Sequence, residues 1–127
     1  MVISGFWVKK VFSQEECTYD SAIYKGELES SIFDTQNYSS SPTGIRWAGF
    51  KPENTFVGFK LAVSNVNDFF VYKGENNSEN SYFKVAPGVR LDISSFDRGR
   101  YLRYKVFLAS CSGLSPTIER IYIYYSP

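Results

Sequence analysis

Tyr101-Leu102-Arg103-Tyr104-Lys105-Val106-Phe107-Leu108 carries the strongest alternation in the chain. Strand side chains alternate between two faces, so Leu102, Tyr104, Val106 and Leu108 share one face and Tyr101, Arg103, Lys105 and Phe107 the other. A helix would scatter the same apolar residues around its axis. Working outward, residues 56–64 repeat the pattern, with Val57, Phe59, Leu61 and Val63 opposite Phe56, Gly58, Lys60 and Ala62. That alternation reads as a half-buried strand. Ile121, Ile123 and Tyr125 oppose Tyr122 and Tyr124 near the C-terminus. Ile45 and Trp47 alternate with Arg46 and Ala48, which places Trp47 in the core, and Val89, Leu91 and Ile93 alternate with Arg90 and Asp92.

The remaining segments extend the same reading. Leu28, Ser30 and Ile32 set against Glu29, Ser31 and Phe33 read as one strand. Residues 69–72 read as a short aromatic strand, and residues 82–85 as its return across a polar tip at 73–80. Residues 5–12 suit a short N-terminal amphipathic helix or an extended edge equally well. Between these runs lie turn formers such as Ser39-Ser40-Ser41-Pro42-Thr43-Gly44 and Ser112-Gly113-Leu114-Ser115-Pro116. Seven to nine short strands spaced about 8–14 residues apart predict an all-β fold, an antiparallel two-sheet β-sandwich of the jelly-roll kind. Without repeat or linker, residues 1–127 read as one domain, with 1–23 as an N-terminal segment and 24–126 as the sandwich core.

Composition narrows the chemistry. Aromatics form 18% of the chain, and they suit pleated, half-buried surfaces rather than long helices. No histidine is present, which removes histidine-based triads, imidazole acid–base chemistry and histidine metal sites. Fourteen lysines and arginines against 13 acids leave a net charge of +1, too little excess for a protein that tracks polyphosphate. Nucleic acid is therefore not an expected partner, although Arg98, Arg100, Arg103 and Lys105 cluster around Tyr101.

Specific residues suggest roles of unequal weight. Cys17 and Cys111 are the only cysteines. Paired, they would tie the N-terminal segment to the turn before the last strand, and two free thiols are the alternative. Asp34, Asp68, Asp92, Asp97, Glu27, Glu29 and Glu119 include the acids a glycosidase pair would need, but turns and outward strand positions ordinarily just solvate them. No catalytic residue is assigned. Calcium at an acidic loop is the one cofactor chemistry left open, without an EF-hand spacing to support it. Tyr122 and Tyr124, with Tyr101 and Arg103, mark a candidate interaction surface for a sugar or for another subunit.

Several segments together resemble the jelly-roll ectodomains of bacterial prepilin-type proteins, the type IV minor pilin-like and related cell-surface proteins. They are residues 26–35, ending in Phe33-Asp34-Thr35; Ile45-Arg46-Trp47; Phe59-Lys60-Leu61-Ala62-Val63-Ser64-Asn65; and Ser115-Pro116-Thr117-Ile118 through Tyr125. Arg100 to Leu108 is the most specific part of the match. The resemblance implies an extracellular, cell-surface head that acts in pilus assembly or adhesion and is not an enzyme. Its partners would be other pilus or surface-protein subunits, a host surface or a glycan. The family's stalk helix is not in this chain, so membrane contact is expected only through a segment outside it. A carbohydrate-binding module and a capsid or fibre protein are the alternative readings.

Overall fold

The computed structural model describes residues 16–127, and the reading of residues 5–12 lies outside the described residues. Seven strands follow in order: β1 (Tyr24–Glu29), β2 (Phe33–Asp34), β3 (Pro42–Phe50), β4 (Thr55–Ser64), β5 (Leu91–Asp92), β6 (Tyr101–Ser110) and β7 (Thr117–Tyr125). In the larger sheet β6 is central, with β4 along one side and β1 then β2 along the other. The smaller sheet runs β5-β3-β7. Every pairing is antiparallel, and the two sheets pack face to face as a β-sandwich.

The alternation of β6 and β4 directs their inner residues at the second sheet. Val57, Phe59, Leu61 and Val106 meet Ile45 and Trp47 of β3, and the layer is closed by Phe83, Ile93 and Phe96 from the connections. Trp47 is wholly enclosed, and its Nε1 donates a 2.8 Å hydrogen bond to the Val85 carbonyl. That bond matters because an orphaned buried donor costs about 1–3 kcal/mol.

Three local readings change in three dimensions. Strand β4 is buried on both faces over most of its length. Its outer residue Phe56 lies under Tyr19 and Tyr82, which the sequence pattern of β4 alone does not contain. The strand expected over residues 28–33 divides in two. Ser30, Ser31 and Ile32 stand opposite only Arg103 and Tyr104, which makes a bulge. There the Ser30 hydroxyl accepts the Tyr104 N–H at 2.9 Å, and Arg103 Nε donates to the Ser30 carbonyl at 2.7 Å. Residues 69–72 form no strand; Lys73 instead makes a single bridge to Leu61, and Phe83 makes another to Phe59. Between them the chain closes with a 3₁₀ turn, Glu75–Asn77, in which Asn76 and Asn77 take left-handed φ values of 59° and 56°.

Strand β1 lies at the sheet edge, and Leu28 on it stays 63% exposed. Its strand pairs with β6 on one side alone, so Leu28 has sheet neighbours on that side only.

Candidate functional site

The sandwich has two outer faces, and they differ in what covers them. The larger sheet's outer face is overlaid by the chain's own segments. Tyr19 and Tyr82 pack edge-on against Phe107 at centroid distances of 5.4 and 5.1 Å, and Tyr82 meets Phe56 at 5.1 Å. Cys17 and Cys111 are joined in a disulfide with their Cα atoms 6.0 Å apart, which fixes the segment carrying Tyr19 to the end of β6.

The basic cluster of β6 lies on this same face, and acids take up its charges. Asp34 receives Arg100 in a fork, from Nε at 2.8 Å and Nη2 at 2.9 Å. Arg103 pairs with Glu29 at 3.3 Å and stacks over Phe70, while Lys105 reaches Glu27 at 4.0 Å. Tyr72 donates its hydroxyl proton to Glu29. These contacts hold both carboxyls below their ordinary range. For Asp34 the leading cause is the Arg100 hydrogen bond, and for Glu29 it is the Tyr72 hydroxyl, with the Arg103 and Lys105 charges adding to it. Burial, followed by the Glu29 carboxylate, pushes the Tyr72 phenol up.

The smaller sheet's outer face is arranged differently. Antiparallel register sets Gly44 opposite Tyr124, Arg46 opposite Tyr122 and Ala48 opposite Arg120. Arg46 stacks on Tyr122 with its Cζ 4.6 Å from the ring centre, and Arg90 stacks on Tyr124 at 4.1 Å. Gly44 makes the second stack possible, because a Cβ there would stand 2.8 Å from Arg90 Nε. The Arg120 guanidinium beside Tyr122, with Arg46 alongside, draws its phenol below the ordinary tyrosine range. Three arginines thus share the face with one paired acid, Asp92, which Arg90 Nε contacts at 3.0 Å. Arg46 Nε is buried and makes no hydrogen bond.

Tyr122 and Tyr124 are therefore brought together, whereas Tyr101 and Arg103 lie on the opposite outer face of the sandwich. The four do not make one surface. Periodicity assigns each to an outward position, but only the strand order says which sheet it faces out from. Arg46, Arg90, Arg120 and Gly44 belong to the Tyr122–Tyr124 face and carried no sequence signal beyond outward alternation.

A third surface lies along the open side, where β1 and β2 edge one sheet and β7 edges the other. Tyr24, Leu28, Phe33 and Tyr125 are exposed there, and Phe33 and Tyr125 meet at 5.4 Å. A cleft of about 300 Å³ runs between Phe33, Leu102, Tyr104, Ile123 and Tyr125. Among the described residues, no group of three or more cysteine, aspartate or glutamate side chains is gathered closely enough to hold a metal ion. No helix among them is long and apolar enough to cross a membrane.

Comparison with protein-family models, with curated proteins and with solved structures gives no match to this chain.

Proposed function

We propose that this chain is a non-catalytic cell-surface domain, the head of a type IV pilin-like protein acting in assembly and adhesion. The observation that carries the reading is the asymmetry of the two outer faces. One is overlaid by the chain's own disulfide-anchored segment and charge-paired, whereas the other presents Tyr122 and Tyr124 with three arginines. A face built of arginines and aromatics has the composition of a recognition surface. Five of the seven acids that a hydrolytic pair would draw on, Asp34, Glu29, Glu27, Asp92 and Asp97, are engaged by a cation, which supports a non-catalytic reading. The disulfide fits an oxidising, extracellular setting.

The two remaining surfaces divide the work. Adhesion falls to the Tyr122–Tyr124 face, and contact with neighbouring subunits to the open side, where the β7 edge adjoins exposed apolar residues. A glycan-array screen of the purified domain, with a Tyr122→Ala/Tyr124→Ala variant beside it, tests the adhesive half. Specific retention lost in the variant supports it. Retention unchanged in the variant, or no retention at all, overturns it and leaves assembly as the function.

A further inference from the structure

We infer that the outer face of the β5-β3-β7 sheet is a site for acidic sugars, those carrying carboxylate or sulfate groups, and not a stacking platform for neutral ones. The inference rests on the adhesive reading above and makes it specific. A neutral sugar stacks by laying its ring on an open aromatic face. Here Arg46 lies over Tyr122 and Arg90 over Tyr124, so the arginines already use those faces. What such a stack offers is the edge of the guanidinium. Held flat by the ring beneath it, a guanidinium keeps its N–H groups in a fixed fork that matches carboxylate and sulfate oxygens.

The charge balance points the same way. On the larger sheet's outer face, Arg100, Arg103 and Lys105 are each matched by an acid, and Lys60, without an ion pair, donates to the Glu79 carbonyl and lies over Tyr82. On this face, among the described residues, Asp92 is the one acid in an ion pair, and it serves Arg90 alone. Arg46 and Arg120 make no ion pair there, and Arg46 Nε has no hydrogen-bond partner. An oxyanion placed between the stacks would give the Arg46 and Arg120 guanidiniums the acidic partner they lack, at nitrogens other than the buried Arg46 Nε. Gly44 is part of the same construction, since any larger residue would occupy the space in which Arg90 lies.

The flat, open shape of a sheet face suits a chain of sugars more than a small free anion. Arg46 and the Gly44 position under Arg90 are two residues apart on one strand. Those two positions lie about 6.6 Å apart along the strand, so the two stacks stand side by side on the face.

Binding of the intact domain to four immobilised polymers tests this: heparin, polygalacturonate, dextran and polyglutamate. Each is measured at about 50 and about 200 mM salt, where counterion release makes an ionic contact visible. Heparin, polygalacturonate or both should be retained, and dextran and polyglutamate should not. Heparin alone identifies sulfate as the recognised group, and polygalacturonate alone identifies carboxylate. Arg46→Gln and Arg90→Gln should each weaken retention about tenfold and flatten the salt dependence, as loss of one charged contact does. Gly44→Val should do so without removing any charge. Lys25→Gln, a charge-matched change on the other sheet, should leave retention unaltered.

Equal loss with Lys25→Gln would show a diffuse charge effect and overturn the inference, as would polyglutamate binding as tightly as the sugars, which would assign the face to an acidic protein. Dextran retained with loss in Tyr122→Ala/Tyr124→Ala would overturn the acidic-sugar specificity while leaving the adhesive reading standing. Retention of none of the polymers would overturn the inference, and the array screen then decides the adhesive reading by itself.

Discussion

Arg90 lies across Gly44 of the neighbouring strand and stacks on Tyr124, its Cζ 4.1 Å from the ring centre. The obstacle to a side chain at position 44 is the end of a flexible arginine, 2.8 Å from the added Cβ, and not the backbone. Gly44→Val should therefore move Arg90 and leave the fold intact. The stack contributes about 0.5–1 kcal/mol at an exposed site, and the strand preference of valine offsets part of that. Urea unfolding should place the variant within about 1 kcal/mol of the parent. A larger loss would mean that Gly44 has a backbone role the geometry does not give it.

Gly49 on the same strand is the contrasting case. Its φ is 151°, and a Cβ there would stand 2.0 Å from the carbonyl oxygen of Thr117, where the β3–β7 register shifts. Backbone cannot move aside as a side chain end can. Gly49→Ala should cost roughly 2–4 kcal/mol and lower the melting temperature clearly. Near-parental melting would show that the β3–β7 bulge can relax.

The Cys17–Cys111 bond closes a loop with a sequence separation of 94 residues. Chain-entropy arguments give about 4–5 kcal/mol for such a loop, and measured disulfides more often contribute about 2–4. Thermal unfolding with and without reductant should differ by on the order of 10 °C. In Cys17→Ser/Cys111→Ser the reductant should have no further effect. Since the bond anchors the segment that carries Tyr19, hydrogen exchange should rise first at Tyr19 and Phe107 in that variant.

The forked Arg100–Asp34 pair and the Tyr72–Glu29 bond make stability fall in acid. Both carboxyls have folded-state values below their unfolded ones, so the folded state holds fewer protons than the unfolded state at intermediate pH. Their contribution is present in full above the unfolded carboxylate range, about pH 4–5, and is lost as pH falls through the depressed values. Carboxyl titration by NMR should place Asp34 and Glu29 each below the ordinary value for its own residue type. Arg100→Gln should return Asp34 toward the ordinary range, and Tyr72→Phe should do the same for Glu29. If neither carboxyl moves, other contacts set its value.

How much of this was legible beforehand depended on whether one strand held the information. The inward and outward residues of β6 and β7, and the burial of Trp47, follow from alternation within a single strand. The two-sided burial of β4 does not, because Tyr19 and Tyr82 come from distant segments to cover Phe56. Leu28 carries a core residue's pattern and is exposed because it lies on an edge strand, a position that alternation alone does not reveal. The candidate surface split for the same reason. Tyr101 and Arg103 share an outward pattern with Tyr122 and Tyr124, but strand order puts them on opposite sides of the sandwich. The stacks of Arg46 and Arg90 required the register of three strands, β3, β5 and β7, which no local pattern encodes.

The outer face of the β5-β3-β7 sheet is the surface on which we propose that the protein meets its ligand. Amide and arginine side-chain shifts of the isotopically labelled domain, followed during titration with a heparin-derived hexasaccharide, test it most directly. The largest changes should fall at Arg46, Arg90, Tyr122 and Tyr124, with Tyr101 and Arg103 unmoved. Changes centred on Tyr101 and Arg103, or on Leu28 and Phe33 along the open side, or no saturable change at all, would contradict it.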